Sequence, residues 1–139
     1  MSTPLTTAPQ VASAAPPRRR FRAVDVPTHL DMGVIGEVCL GVTLTGYQSV
    51  VRGFLDDPAG SLASLLQALD ENNTTTLSAR AHAVKGGAAS LGLRSVQALA
   101  SSLEAATAGE TSDERAAAAA NLRELVVTAR SLLQRMGLL

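Results

Sequence analysis

Between Leu77 and Leu91 the apolar residues Leu77, Ala81, Val84, Ala88 and Leu91 recur at intervals of three and four, and at ~100° per residue they share an arc of about 80°. A strand would alternate instead. The spacing returns at Leu62-Leu65-Leu66-Leu69, at Val96-Leu99-Leu103-Ala106, and at Leu122-Leu125-Val126-Ala129-Leu132-Leu133-Met136. Beyond residue 28 the chain is therefore predicted to be helical throughout. Composition points the same way: 46% of the 139 residues are hydrophobic but only 2% aromatic (Phe21, Tyr47, Phe54), with Ala, Leu and Val supplying nearly all the rest. That length fits one core with a tail.

Capping residues set the expected boundaries. A first segment runs from about Leu30 to Leu40, presents Leu30, Val34 and Cys39, and stops near Gly41. Thr43 caps a second segment carrying Leu44, Tyr47, Val50, Val51 and Phe54, and Pro58 either kinks that helix or separates it from the next run of leucines. Asn73 is the expected N-cap of a third helix, Thr74 to Leu91, with Gly92 as its stop. A fourth spans roughly Leu93 to Ala108, before Gly109, and Thr111-Ser112-Asp113-Glu114 reads as a capping box opening a fifth. Short loops between helices of similar length predict an all-α fold, an antiparallel up-down four-helix bundle with a short leading helix.

Residues 1–27, rich in Thr, Ala, Pro and Ser and carrying an arginine cluster, are expected to be a disordered tail or linker, leaving 28–139 as the domain. The zero net charge hides an asymmetry. Residues 1–24 hold Arg18, Arg19, Arg20 and Arg22 and no acid, giving +4, while residues 25–139 hold eight bases and twelve acids, giving −4. Nothing in this balance calls for a nucleic-acid partner. The single cysteine, Cys39, excludes an internal disulfide and a Cys-based metal cluster. The uncharged run Val38–Val51 is 14 residues and interrupted by Gly41, Gly46 and Gln48, and the N-terminus lacks an apolar stretch after its basic residues. Neither a membrane span nor a secretory signal is expected, and a cytoplasmic location is the resulting reading.

On the third helix His82 lies roughly 140° from the centre of the apolar arc and is predicted to face solvent. Ser78, Ala79, Lys85, Gly86 and Ala89 share its face, whereas Arg80 projects to the far side. Gly86 and Gly87 each cost about 1 kcal/mol relative to Ala in a helix interior. At i+4 from the histidine, Gly86 removes any side chain beside the imidazole, so that a second protein's active site can close over it. Lys85 at i+3 offers a cation to a phosphate carried by the ring. Gly87 is better explained by close helix packing.

The run Ala81-His82-Ala83-Val84-Lys85-Gly86-Gly87-Ala88-Ala89-Ser90-Leu91-Gly92-Leu93 resembles the signature of histidine-containing phosphotransfer (HPt) domains, whose pattern H-x-x-K-G-x-x-x-x-x-G is met by His82, Lys85, Gly86 and Gly92. A weaker likeness extends from about residue 30 to the C-terminus. The resemblance implies a four-helix bundle whose exposed histidine exchanges a phosphoryl group with an aspartate of a response-regulator receiver domain. His82 then inherits the carrier role, with Lys85 and Gly86 in support and Ser78, Ala79 and Ala89 on the partner-facing surface. Family members place a polar residue opposite the histidine on the next helix. Counting 22 residues on gives Glu104, whose carboxylate could accept the Nδ1 proton. Some also carry a basic residue further along, where this chain has Thr107 and Ala108.

The chain has no P-loop, no glycine-rich nucleotide motif and no carboxylate cluster beside His82. It is therefore expected to be a phosphate carrier and not a free-standing enzyme, to need no cofactor of its own, and to take Mg²⁺ chemistry from the partner receiver. Partners implied are a receiver domain, a hybrid sensor histidine kinase, or both. One alternative is the phosphotransfer domain of a chemotaxis-type kinase, phosphorylated by an ATP-binding module; another is a helical interaction module never phosphorylated. A metal site is disfavoured, because His29 and His82 lack ligand-spaced acids or thiols.

Overall fold

The computed structural model describes residues 26–106 and 110–139. The Arg18–Arg22 cluster and the Thr107–Ala108 position lie outside the described residues, as does the expected tail apart from Val26 and Pro27. Those two residues open a short helix. The described residues form, in order, α1 (Val26–His29), α2 (Met32–Asp56), α3 (Ser61–Asp70), α4 (Thr74–Leu91), α5 (Arg94–Ala106) and α6 (Ser112–Arg135). Among the described residues there are no strands, only one isolated antiparallel bridge between Leu30 and Leu93. The fold is all-α.

The start of the chain departs from expectation at one point. Gly41 does not stop the first segment; helix continues to Thr43, whose φ of 69° and ψ of 166° break the path inside α2. Thr43 then caps the second half of that helix, its Oγ1 accepting the Gly46 N–H at 3.2 Å. Glycine merely weakens a helix, whereas a left-handed residue ends its hydrogen-bond ladder. Pro58 separates two helices rather than kinking one. The turn between α2 and α3 is closed by Gly60 N–H to Asp57 O at 3.0 Å and by Ala59 N–H to the Asp57 carboxylate at 2.9 Å. Asn73 occupies the N-cap of α4 but makes no side-chain cap bond. The capping box of α6 forms in both directions: Glu114 N–H donates to Thr111 Oγ1 at 3.1 Å and Thr111 N–H to Glu114 Oε1 at 2.7 Å.

The helices share one core. Leu77, Ala81, Val84, Ala88 and Leu91, the whole predicted arc of α4, are buried. They meet Tyr47 and Val51 of α2, Leu65 and Leu69 of α3, Val96 and Leu103 of α5, and Leu122, Ala129, Leu132 and Leu133 of α6 in a single cluster. Val34 and Cys39, read as core positions, are only half-buried, and Ile35 is the buried residue of that turn. Leu44 and Val50, expected on the inner stripe of α2, stand about half exposed at 45% and 53%. Residues 32–70 are long and apolar enough to cross a membrane by length and composition alone. The turn at Pro58 interrupts that stretch, and its Tyr47, Val51, Leu65 and Leu69 belong to the common core.

The join between α4 and α5 sets up the site. Gly92 adopts φ 74°, and a Cβ there would lie 2.7 Å from Ile35 Cγ1 and 2.8 Å from Asp31 O, so only glycine fits. Leu93 N–H reaches back to Ala88 O at 2.9 Å, and Asp31 N–H donates to Gly92 O at 2.8 Å. The buried Tyr47 hydroxyl donates to Leu91 O at 2.8 Å, which satisfies another carbonyl of the last turn. Gly92 and Leu93 alone join the end of α4 to the start of α5, which returns along it. Arg94 holds the start of α5 through Pro27 O at 3.0 Å and Asp31 at 3.1 Å, and His29 contributes a 2.9 Å hydrogen bond to Ser95.

Candidate functional site

His82 lies nine positions before Leu91 and Glu104 ten positions after Arg94, so at ~1.5 Å per residue the outgoing and returning helices bring His82 and Glu104 level. They touch. His82 Nδ1 lies 2.6 Å from Glu104 Oε2, and Lys85 Nζ donates to Glu104 Oε1 at 2.5 Å. One carboxylate thus holds both the ring and the lysine one turn further along α4. The Lys85 ammonium first, and the His82 ring second, hold the Glu104 carboxyl below the usual carboxylate range against an opposing desolvation effect. Glu104 is accordingly ionised at neutral pH.

An ionised carboxylate can only accept, so the Nδ1 proton belongs to the histidine, a tautomer inferred from the hydrogen bond. The Nε2 lone pair is then free. The His82 side chain is 68% exposed, as its position opposite the apolar arc predicts, whereas the Glu104 side chain is 27% exposed and anchored. The nitrogen without a proton therefore sits at the end of the ring away from the carboxylate.

The surroundings are bare. A Cβ built on Gly86 would meet nothing within 4 Å among the described residues, so no packing between them requires glycine at that position. Gly87 is different: its Cβ would stand 2.6 Å from Phe54 Cε1, and the glycine admits the Phe54 ring against α4. The two adjacent glycines thus differ in their surroundings, one facing inward against Phe54 and one facing out. Ser78 and Ala79 are exposed and Ala89 is half-buried on the histidine's side of α4. Ser78 Oγ also donates to Glu104 O at 3.4 Å, a long bond between the two helices. Arg80 turns away, donating to Ser64 O of α3 at 2.9 Å.

Sequence reasoning places Lys85 beside a future phosphate and misses its pairing with Glu104. The signal is available, since i+3 from His82 on the side of α5 puts the lysine within reach of the same carboxylate. His29, the other histidine, is buried against Ser95 and takes no part. Among the described residues no group of three or more His, Cys, Asp or Glu side chains is placed to hold a metal ion.

Comparison with protein families matches residues 49–136, more than half the chain and the part from the second half of α2 to the end of α6, to the Hpt domain. Neither the curated proteins nor the solved structures provide a match.

Proposed function

The chain belongs to the Hpt domain family, whose members are phosphocarrier modules of two-component signalling, and on that premise we propose that His82 is the residue that carries the phosphoryl group. The observation that carries this reading is the exposed ring with its Nδ1 proton pinned on Glu104 and its Nε2 turned outward. The second half of α2 together with α3 to α6 is read as the up-down antiparallel bundle of the family, with 28–139 as the domain.

In the proposed reaction the Nε2 lone pair attacks the phosphorus of an aspartyl phosphate on a receiver domain. The N–P bond forms as the bond from phosphorus to the acyl oxygen breaks, and the aspartate leaves as a carboxylate. The ring gains positive character while Nδ1 keeps its proton, so the Glu104 carboxylate faces the charge as it develops. Lys85 neutralises Glu104 before transfer and screens the phosphoryl charge after it. The absence of a side chain at Gly86 admits the partner's site, with Ser78, Ala79 and Ala89 in the contact surface. The receiver supplies Mg²⁺ and its acidic ligands. The reverse of these steps hands the group to a second receiver, which makes the chain a relay intermediate without ATP chemistry of its own, acting in the cytoplasm where receivers work.

Incubation with a ³²P-phosphorylated receiver tests the reading. Acid-labile label is expected on the wild type and not on His82→Gln; label that persists in that variant, or never forms with a panel of receivers, favours a helical interaction module. A second route is phosphorylation by the ATP-binding module of a chemotaxis-type kinase, supported by Glu104 because the resemblance implies Gln at this position in most family members and Glu in chemotaxis-kinase phosphotransfer domains. Labelling by that module in the absence of a receiver would identify it.

A further inference from the structure

The segment 27–31 grips the α4–α5 join residue by residue. Asp31 N–H donates to Gly92 O at 2.8 Å, and Leu30 forms an antiparallel bridge with Leu93. Arg94 pairs with the Asp31 carboxylate at 3.1 Å and donates to Pro27 O at 3.0 Å, while His29 Nδ1 meets Ser95 Oγ at 2.9 Å. Asp31 is the hub. Its carboxylate also accepts the Val34 N–H at 3.2 Å as the N-cap of α2, so one side chain ties the start of α2 to the start of α5. The Val34 N–H first, and the Arg94 side chain second, hold the Asp31 carboxyl below its ordinary range, and the pair is charged at neutral pH. The whole gripping segment precedes residue 49, where the family match begins.

We propose that Asp31 and Arg94 are positioning residues for phosphoryl transfer, setting the direction of α5 and with it the contact of Glu104 with His82; this rests on the reading of His82 as the carrier. Leverage makes the clasp matter. Glu104 stands ten positions after Arg94, about 15 Å along α5, so a tilt of about 4° at the join moves its carboxylate by about 1 Å. That shift is enough to break contacts of 2.6 Å to His82 Nδ1 and 2.5 Å to Lys85 Nζ. The Arg94 and Asp31 side chains are 50% and 37% exposed, and a pair so open to solvent contributes little to global stability. It acts on geometry and not on the folding equilibrium.

In the ¹⁵N-labelled full chain, ¹H–¹⁵N spectra of the imidazole read the His82 tautomer with no partner present. Arg94→Ala keeps the α2 cap and releases the start of α5. The Nε2-protonated form of His82, minor in the wild type, should rise at least about three-fold, and the transfer constant from a phosphorylated receiver should fall by a similar factor, with circular dichroism unchanged. Arg94→Lys, which returns a cation to Asp31, should bring both back to within about two-fold of the wild type. Asp70→Ala, which breaks the comparably exposed Arg123 pair between α3 and α6, should change neither. An unchanged tautomer or an unchanged transfer constant in Arg94→Ala overturns the proposal, as does an equal change in Asp70→Ala or no recovery with lysine. A wild type that never takes label defeats the carrier reading alone, since the tautomer populations still decide whether the clasp positions Glu104.

Discussion

Replacing Gly86 by alanine separates stability from transfer at a single atom. In a helix interior alanine is favoured over glycine by about 0.8–1.0 kcal/mol, and the new methyl meets nothing within 4 Å, so there is no packing penalty to offset the gain. Gly86→Ala should therefore stabilise the fold by about 1 kcal/mol. With a urea m-value of about 2 kcal/mol/M, the unfolding midpoint rises by about 0.5 M. The same methyl sits one turn from His82 on the face proposed to meet the receiver. A displacement of about 1 Å from productive geometry costs on the order of 100-fold in rate, so the second-order transfer constant should fall by at least about ten-fold. Urea unfolding followed by circular dichroism, with a stopped-time transfer assay on the same preparation, reads both quantities. A more stable variant that transfers at the wild-type rate would refute the idea that the glycine is kept for a partner. A destabilised variant would refute the open face itself.

Gly87→Ala should behave in the opposite way: overpacking against Phe54 at 2.6 Å costs about 1–3 kcal/mol, reduced by the helix-propensity gain, so the urea midpoint falls while transfer per folded molecule is retained. Tyr47→Phe removes the donor to Leu91 O and should destabilise by about 1–2 kcal/mol in the same unfolding measurement. The Tyr47 phenol, pushed up to about 12 by burial, should be missing from an absorbance titration of the folded protein near pH 10 and appear only at higher pH or on unfolding. For Glu104, whose carboxyl is held below its ordinary 4.5, the stabilising contribution is present above that value and fades as pH falls through the lower folded-state value. Glu104→Ala should flatten that acid limb in a plot of urea midpoint against pH, and an unaltered limb would contradict the pairing with Lys85 and His82.

Much of the fold was readable because local and global preferences agree. In α4 every residue of the apolar arc is buried, and in α6 the Thr111–Glu114 box forms as its side chains require. Where local reading failed, tertiary context decided. Gly41 has the weaker propensity, yet the helix passes through it and breaks at the β-branched Thr43. Leu44 and Val50 fit the apolar stripe of α2, but half of each remains exposed, because helical spacing identifies a face without saying how far the opposing helices extend along it. At the site, the level of Glu104 opposite His82 follows from two helix lengths and a two-residue join. The sharing of its carboxylate with Lys85 does not, because that depends on which rotamers meet across two helices. The explanation for Gly86 also comes from absence: the fold has room for a methyl there, which a sequence alone does not reveal.

The most direct test of the central claim is to locate the bond on the ring. Phosphoryl transfer from a receiver to the ¹⁵N-labelled chain, then ¹H–¹⁵N and ³¹P spectroscopy of the imidazole, should show phosphorus on Nε2 of His82 and a proton retained on Nδ1. Phosphorus on Nδ1, or on any residue other than His82, would contradict the account.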